Sequence, residues 1–237
     1  MILVYAVVGL AVGTLLNWAA DWLPRYATSR PRPRAPSSAG CFPAWWRLLA
    51  NIVARQSQRS PRLRAGVAVE LFTALLFAGL WLRFGPSLDL LLFALLSAFL
   101  MLIAVIDVRY RLVLNVLIYP GIALALLITF ISPQADARLA LLGGGMGLGM
   151  FALAALLRPG GLGGGDVKLA AFIGLLFGFP GALWALAIGI LAGGVASAGL
   201  ILSRRMGAKS QIPYAPFLCF GALLALFYNP LALLLVR

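Results

Sequence analysis

The chain has no histidine, two cysteines and only six carboxylates, set against nineteen lysines and arginines in 237 residues. A zinc site built from Cys and His ligands therefore has no components here, and neither zinc nor any other metal or cofactor is expected. The cysteines, Cys41 and Cys219, lie far apart on different elements, so no disulfide is implied and the redox compartment is left open. Charge of either sign is scarce: 11% of residues are charged and 63% are hydrophobic. A soluble domain has an apolar share of about 45–50%, so the bilayer is the expected solvent. A P-loop is absent and no internal repeat is convincing, which removes those routes to a phosphate site or a solenoid.

What is present is a succession of long apolar runs. A transmembrane helix needs roughly 20 such residues, and eight candidate spans can be placed: 1–23, 65–84, 88–107, 112–131, 139–157, 167–180, 182–202 and 213–236. The expected fold is all-α, a polytopic bundle of about eight membrane helices with both termini outside. The first span lacks a basic n-region, since its nearest cation, Arg25, follows the apolar stretch, and it is read as a retained helix rather than a signal peptide. Span 167–180 is short and follows a glycine run, which suits a tilted or partly re-entrant segment.

The net charge of +13 would suit nucleic acid in a soluble protein, but the placement of the cations points elsewhere. With the N-terminus outside, sixteen of the nineteen cations fall on the inner side, nine of them in loop 24–64, and only Arg83, Arg138 and Arg237 fall on the other. That split obeys the positive-inside rule. No nucleic-acid partner is expected; membrane lipids are. Loop 24–64 contains no acidic residue and six prolines, and its first half is expected to be irregular. From Trp45 to Val53 the apolar spacing becomes helical, leaving two readings open: an amphipathic helix on anionic headgroups or a basic linker. The chain is accordingly divided into an N-terminal two-helix region, 1–84, and a six-helix core, 85–237. Glycines at four-residue spacing, Gly145 and Gly149, Gly174 and Gly178, Gly189 and Gly193, predict close helix packing.

The six acids divide informatively. Asp89 and Asp136 fall in outer loops, whereas Asp21, Glu70, Asp107 and Asp166 all fall near inner ends of spans. An ionisable group at helix depth costs about 2.5–3.5 kcal/mol on insertion scales, so its retention points to function. Asp107 closes the third span, where pairing with Arg109 or Arg111 is the structural alternative. Asp166 follows Gly161-Leu162-Gly163-Gly164-Gly165, a run that lets backbone approach a ligand closely.

The stretch Gly161-Leu162-Gly163-Gly164-Gly165-Asp166-Val167-Lys168-Leu169 resembles the GxGD motif of type IV prepilin peptidases in its fuller form. Ile106-Asp107-Val108-Arg109-Tyr110-Arg111 is similar to the segment that carries that family's other aspartate. Gly13-Thr14-Leu15-Leu16-Asn17 with Leu23-Pro24 resembles the family's first helix, Val69-Glu70-Leu71 its second, and Pro213-Tyr214-Ala215-Pro216-Phe217 its last. The resemblance covers nearly the whole chain. It implies an aspartic endopeptidase of the plasma (inner) membrane, active at the cytoplasmic side on prepilin-like precursors, with Asp107 and Asp166 catalytic. Gly163, Gly165, Lys168, Glu70, Pro213 and Pro216 are implied to bind substrate or shape loops, with Lys168 expected to anchor on an acid or a lipid phosphate.

Two departures stand out. Leu114-Asn115 stands where the family usually has Pro-Asp or Pro-Asn. The first cytoplasmic loop holds Cys41 alone instead of two CxxC pairs, so N-methylation of the product, which would require S-adenosylmethionine, is left open. Two readings from other classes also remain: a transporter or proton relay, which predicts acids spread through bilayer depth, and a non-catalytic assembly scaffold.

Overall fold

The computed structural model describes residues 1–27, 61–131, 136–157, 162–203 and 213–228. The basic segment around Trp45–Val53, Cys41, Gly161 and most of loop 203–212 lie outside them. Among the described residues are eight helices: α1 Ile2–Ala27, α2 Pro61–Phe84, α3 Leu88–Tyr110, α4 Asn115–Ile131, α5 Ala137–Leu157, α6 Gly164–Phe177, α7 Gly181–Leu202 and α8 Ala215–Phe227. Each predicted span overlaps one of them; the last, expected over 213–236, is a helix only to Phe227, and its residues from 229 on lie outside the described ones. α1, α2, α3, α5 and α7 are long and apolar enough to cross a membrane, and α4 and α8 are shorter apolar helices. The chain is a multi-pass helical membrane protein.

Some predicted boundaries move. α1 continues through Pro24 to Ala27, and α2 begins with Pro61, a residue whose missing N–H costs nothing in a first turn. The segment expected at 167–180 forms a helix over Gly164–Phe177. Its 14 residues at 1.5 Å rise reach about 21 Å, short of the ~30 Å hydrocarbon core. The helix stops at Gly178, whose φ of 61° is left-handed and whose N–H donates to Gly174 O at 3.0 Å; Pro180 follows and cannot continue it.

The chain divides into two compact units, Met1–Ile106 and Asp107–Arg237. In the first, α1 packs against α2. Gly9 and Gly13 allow the approach, because a Cβ on either would lie 2.7 Å from the backbone of Ala74 or Glu70. Glu70 is 1% exposed and accepts hydrogen bonds from Thr14 Oγ1 at 3.3 Å and Asn17 Nδ2 at 3.4 Å. Asn17 Nδ2 also reaches Gly66 O at 3.0 Å. This polar cluster satisfies groups that lipid would leave unsatisfied.

In the second unit α6 is the hub, in contact with α4, α5, α7 and α8. The α5–α6 contact corrects one expectation. Gly145 and Gly149 face open space, and the close-packed positions are Gly143, Gly144 and Gly147, set against Gly174, Leu175 and Ala170. The buried face of α5 runs Ala140, Gly143, Gly144, Gly147 and Phe151, the i, i+3, i+4, i+7 pattern of one helix stripe; Gly145 and Gly149 fall outside it. Gly189 and Gly193 pack as expected, against Leu218 and the Tyr214 ring, and Gly221 of α8 abuts Ala185 and Gly189.

Candidate active site

Three helix ends meet around two carboxyl groups in the second unit. The first carboxyl belongs to Asp107, one turn before α3 stops. α3 ends because Arg111 takes a left-handed conformation, φ 54°, while its N–H donates to Asp107 O at 2.7 Å. For a residue with a Cβ that conformation costs about 1–2 kcal/mol. The turn releases the chain into residues 112–114, after which α4 begins at Asn115.

The second carboxyl belongs to Asp166, in the first turn of α6. Gly163 precedes the helix in extended conformation. Its N–H donates to Asp166 Oδ2 at 3.2 Å, and the Asp166 N–H donates to Gly163 O at 3.0 Å. This is the side-chain half of a capping box, the half a glycine cap permits. It places an acid at the positive end of the helix dipole, where a negative charge is favoured.

Asp166 lies close enough for its charge to act on Asp107, and the backbone amide of Ala215, the first residue of α8, is directed at both carboxyl groups. Asp107 is 4% and Asp166 9% exposed. Asp107 Oδ2 is buried and has no hydrogen-bond partner among the described residues, while the Arg111 charge is near enough to act on the same carboxyl. An unpartnered buried carboxylate oxygen is costly and rare, and here it belongs to an acid that a second acid influences.

The glycine motif has a specific geometric role. A Cβ at Gly165 would stand 2.6 Å from Val113 Cβ, whereas one at Gly164 would meet nothing within 4 Å. Only a bare Cα at 165 lets the segment after Asp107 lie on the start of α6. Lys168 faces the same segment: its Nζ donates to Asn115 Oδ1 at 2.9 Å and to Tyr119 Oη at 2.8 Å, and stands 4.7 Å from the centre of the Tyr119 ring. The lysine thus holds the start of α4. Pro213 and Pro216 flank Tyr214 and Ala215 at the start of α8. Tyr214 secures that start: its hydroxyl donates to Ile190 O at 3.2 Å, and its ring lies against Phe151, Phe217 and Gly193. Glu70 belongs to the first unit, where it joins Thr14 and Asn17.

Sequence reasoning missed Ala215, Val113, Asn115 and Tyr119. Ala215 contributes a backbone N–H, which nearly every residue type has, so its identity carried no signal. Asn115 and Tyr119, four residues apart on one helix face, were legible as a polar pair at the start of an apolar span.

Fold and site define a class: a helical membrane protein with two buried acids near one another at helix ends. The sequence pattern of the type IV leader peptidase family matches residues 94–198, a range that contains both acids. A prepilin leader peptidase/N-methyltransferase of Burkholderia pseudomallei (strain K96243) is 31% identical over 233 residues, covering 92% of this chain and 74% of that protein. A protein of the same name from Bacillus subtilis (strain 168) is 37% identical over 165 residues, 68% of this chain. One from Aeromonas hydrophila is 31% identical over 167 residues, again 68% of this chain. The chain spans 65% of the Bacillus protein and 57% of the Aeromonas protein. No solved structure matches. The chain belongs to the type IV leader peptidase family.

Proposed function

We propose that this protein is a membrane-embedded aspartic endopeptidase that removes the basic leader from prepilin-like precursors, with Asp107 and Asp166 as its catalytic pair. The observation that carries the reading is that two buried acids stand near enough for the Asp166 charge to act on Asp107, with Asp107 Oδ2 unpartnered among the described residues. Two carboxyl groups sharing a poorly solvated site do not both ionise easily, so they share a proton between them. The ionised member takes a proton from a water molecule, whose oxygen attacks the scissile carbonyl carbon. The neutral member protonates the developing oxyanion. Collapse of the tetrahedral intermediate breaks the C–N bond as the leaving nitrogen takes up a proton, and the pair is restored for another turnover.

The location of the acids suits the substrate. Both lie at helix ends, and a precursor with its apolar stem in the bilayer offers a scissile bond near the membrane surface. The inner, cation-rich side is the cytoplasmic one under the positive-inside rule, which supports a site facing the cytoplasm of the plasma membrane. Reporters fused in loops 24–64 and 203–212 should both score cytoplasmic. Opposite scores would break that topology.

The relatives' names also include N-methyltransferase. The proposal covers the peptidase alone, because the loop with Cys41 in place of two cysteine pairs lies outside the described residues. A proton relay would spread its acids through the bilayer, whereas Asp107 and Asp166 come together. The decisive experiment co-expresses a prepilin-like substrate with wild type, Asp107→Asn or Asp166→Asn at matched membrane levels and follows the loss of leader by mass. Cleavage by wild type and by neither variant is expected; near-normal cleavage by either variant overturns the assignment.

A further inference from the structure

We infer that Lys168 is a positioning residue: it latches the start of α4 to the start of α6 and thereby holds Asp107 in reach of Asp166. The inference rests on the peptidase reading for its activity arm but stands on contacts that exist whatever the substrate.

The geometry begins with the pitch of one helical turn. At 3.6 residues per turn, Gly165 and Lys168 lie about 60° apart on α6, while Asp166 and Lys168 lie about 160° apart. One face of this turn therefore carries the glycine notch and the lysine, and another carries the acid. The neighbours agree with that division. Val113 fills the notch at Gly165, and Asn115 and Tyr119 take the lysine. Asp166 instead meets Gly163, Ala215 and Asp107. The spacing from glycine to acid to lysine is thus what lets a single turn serve two neighbours at once.

The chain that runs from Asp107 to Asn115 is short and bent. It passes through the left-handed Arg111, a conformation that persists only when its surroundings impose it. Leu114, buried at 4% exposure, accepts the N–H groups of Leu117 and Ile118 at 3.0 and 3.1 Å as α4 begins. The notch at Gly165 limits how close this segment comes but supplies no directional bond. Lys168 supplies three interactions: two charge-assisted hydrogen bonds and a cation–π contact. It gives α4 a fixed register on α6, and through residues 111–114 it gives α3 a fixed end.

Lys168 bonds to Asn115 and Tyr119 on α4 and, among the described residues, to neither carboxyl group, so its loss should alter where Asp107 stands rather than what Asp107 does. A displacement of about 1 Å at a reacting group costs up to ~10²-fold in rate. Lys168→Met keeps the stem and removes the ammonium. It should lower kcat about 10- to 100-fold with KM nearly unchanged, and Lys168→Arg, which keeps the charge and donors, should recover most of the rate. Tyr119→Phe removes one acceptor only and should move kcat in the same direction by less.

A second measurement does not depend on activity. In a full-length chain with Cys41 and Cys219 replaced by alanine, Asp107→Cys and Asp166→Cys should form a disulfide on mild oxidation in membranes, with Lys168 present. Lys168→Met should slow that reaction, and Lys168→Arg should restore it. Unchanged crosslinking together with lost cleavage would overturn the latch, because Lys168 would then act on substrate; unchanged cleavage with Lys168→Met would overturn it too. Failure to crosslink with Lys168 in place would remove the close approach of the two acids, and the latch with it. Crosslinking that Lys168→Met slows and Lys168→Arg restores, with no prepilin cleavage even by wild type, would instead keep the latch and remove the peptidase reading.

Discussion

The glycines before Asp166 should differ sharply in their tolerance of a methyl group, and the structure gives the order. At Gly165 the added Cβ would lie 2.6 Å from Val113 Cβ, about 1 Å inside the normal carbon–carbon separation of ~3.5–4.0 Å. The obstacle belongs to the backbone-anchored part of a β-branched residue, so rotating Val113 gives no relief. Overpacking of this kind costs about 1–3 kcal/mol, and relaxing it means moving residues 111–114, which carry the end of α3. Gly165→Ala should therefore lower cleavage by about 10²-fold while the protein still inserts. At Gly164 the new methyl meets nothing within 4 Å, and alanine is the better helix former by ~0.8–1.0 kcal/mol, so Gly164→Ala should keep near-normal activity. Gly163 is intermediate: its Cβ would stand 3.4 Å from Asp166 Oδ2, an ordinary contact, and its backbone conformation is open to alanine. The assay is initial-rate cleavage of a prepilin-like substrate in detergent, normalised to folded protein by a thermal-shift trace. Val113→Ala keeps the offending Cβ and should not rescue Gly165→Ala, whereas Val113→Gly should. Equal effects at 164 and 165 would refute the reasoning, as would rescue by Val113→Ala.

Three further outcomes are expected. Gly143→Ala or Gly174→Ala should lower the melting temperature of the detergent-solubilised protein, since each places a methyl on the facing backbone at a cost of about 1–3 kcal/mol; Gly145→Ala and Gly149→Ala should leave it unchanged or raise it. The double variant Asp107→Asn/Asp166→Asn should be no less active than either single variant, because residues that act as a unit are not additive, and wild-type activity against pH should show a bell or plateau belonging to the pair. An additive double variant would separate the two acids functionally. Exhaustive chelation should leave peptidase activity intact, and stoichiometric zinc with activity lost on its removal would refute that.

How legible the site was depended on what kind of group each part uses. Asp107 and Asp166 stood out because a carboxylate near membrane depth is expensive, and the bilayer makes that expense visible in a bare sequence. Glu70 stood out on the same ground, yet the structure gives it Thr14 and Asn17 in the other unit; expense alone does not distinguish a helix clamp from a reacting group. Lys168 was legible as an anchor, but its partners on α4 were not, because a lysine reaches several neighbours and only tertiary packing selects among them.

The apolar runs and their breaks by themselves determined that the chain is a multi-pass helical bundle, since in lipid a spanning segment must satisfy its own backbone and few sequences of this hydropathy have another solution. They also placed most of the helices to within a few residues, though the last ends at Phe227 and not near 236. Only the tertiary structure decided which glycines carry contacts, because a helix stripe shifts face with a change of one or two residues and Gly143 is indistinguishable from Gly145 until α6 lies against it. Only the tertiary structure brought Asp107 to Asp166 across 59 residues of sequence and directed the Ala215 amide at both. That meeting depends on three helix ends arriving at one place, which no local run of residues dictates.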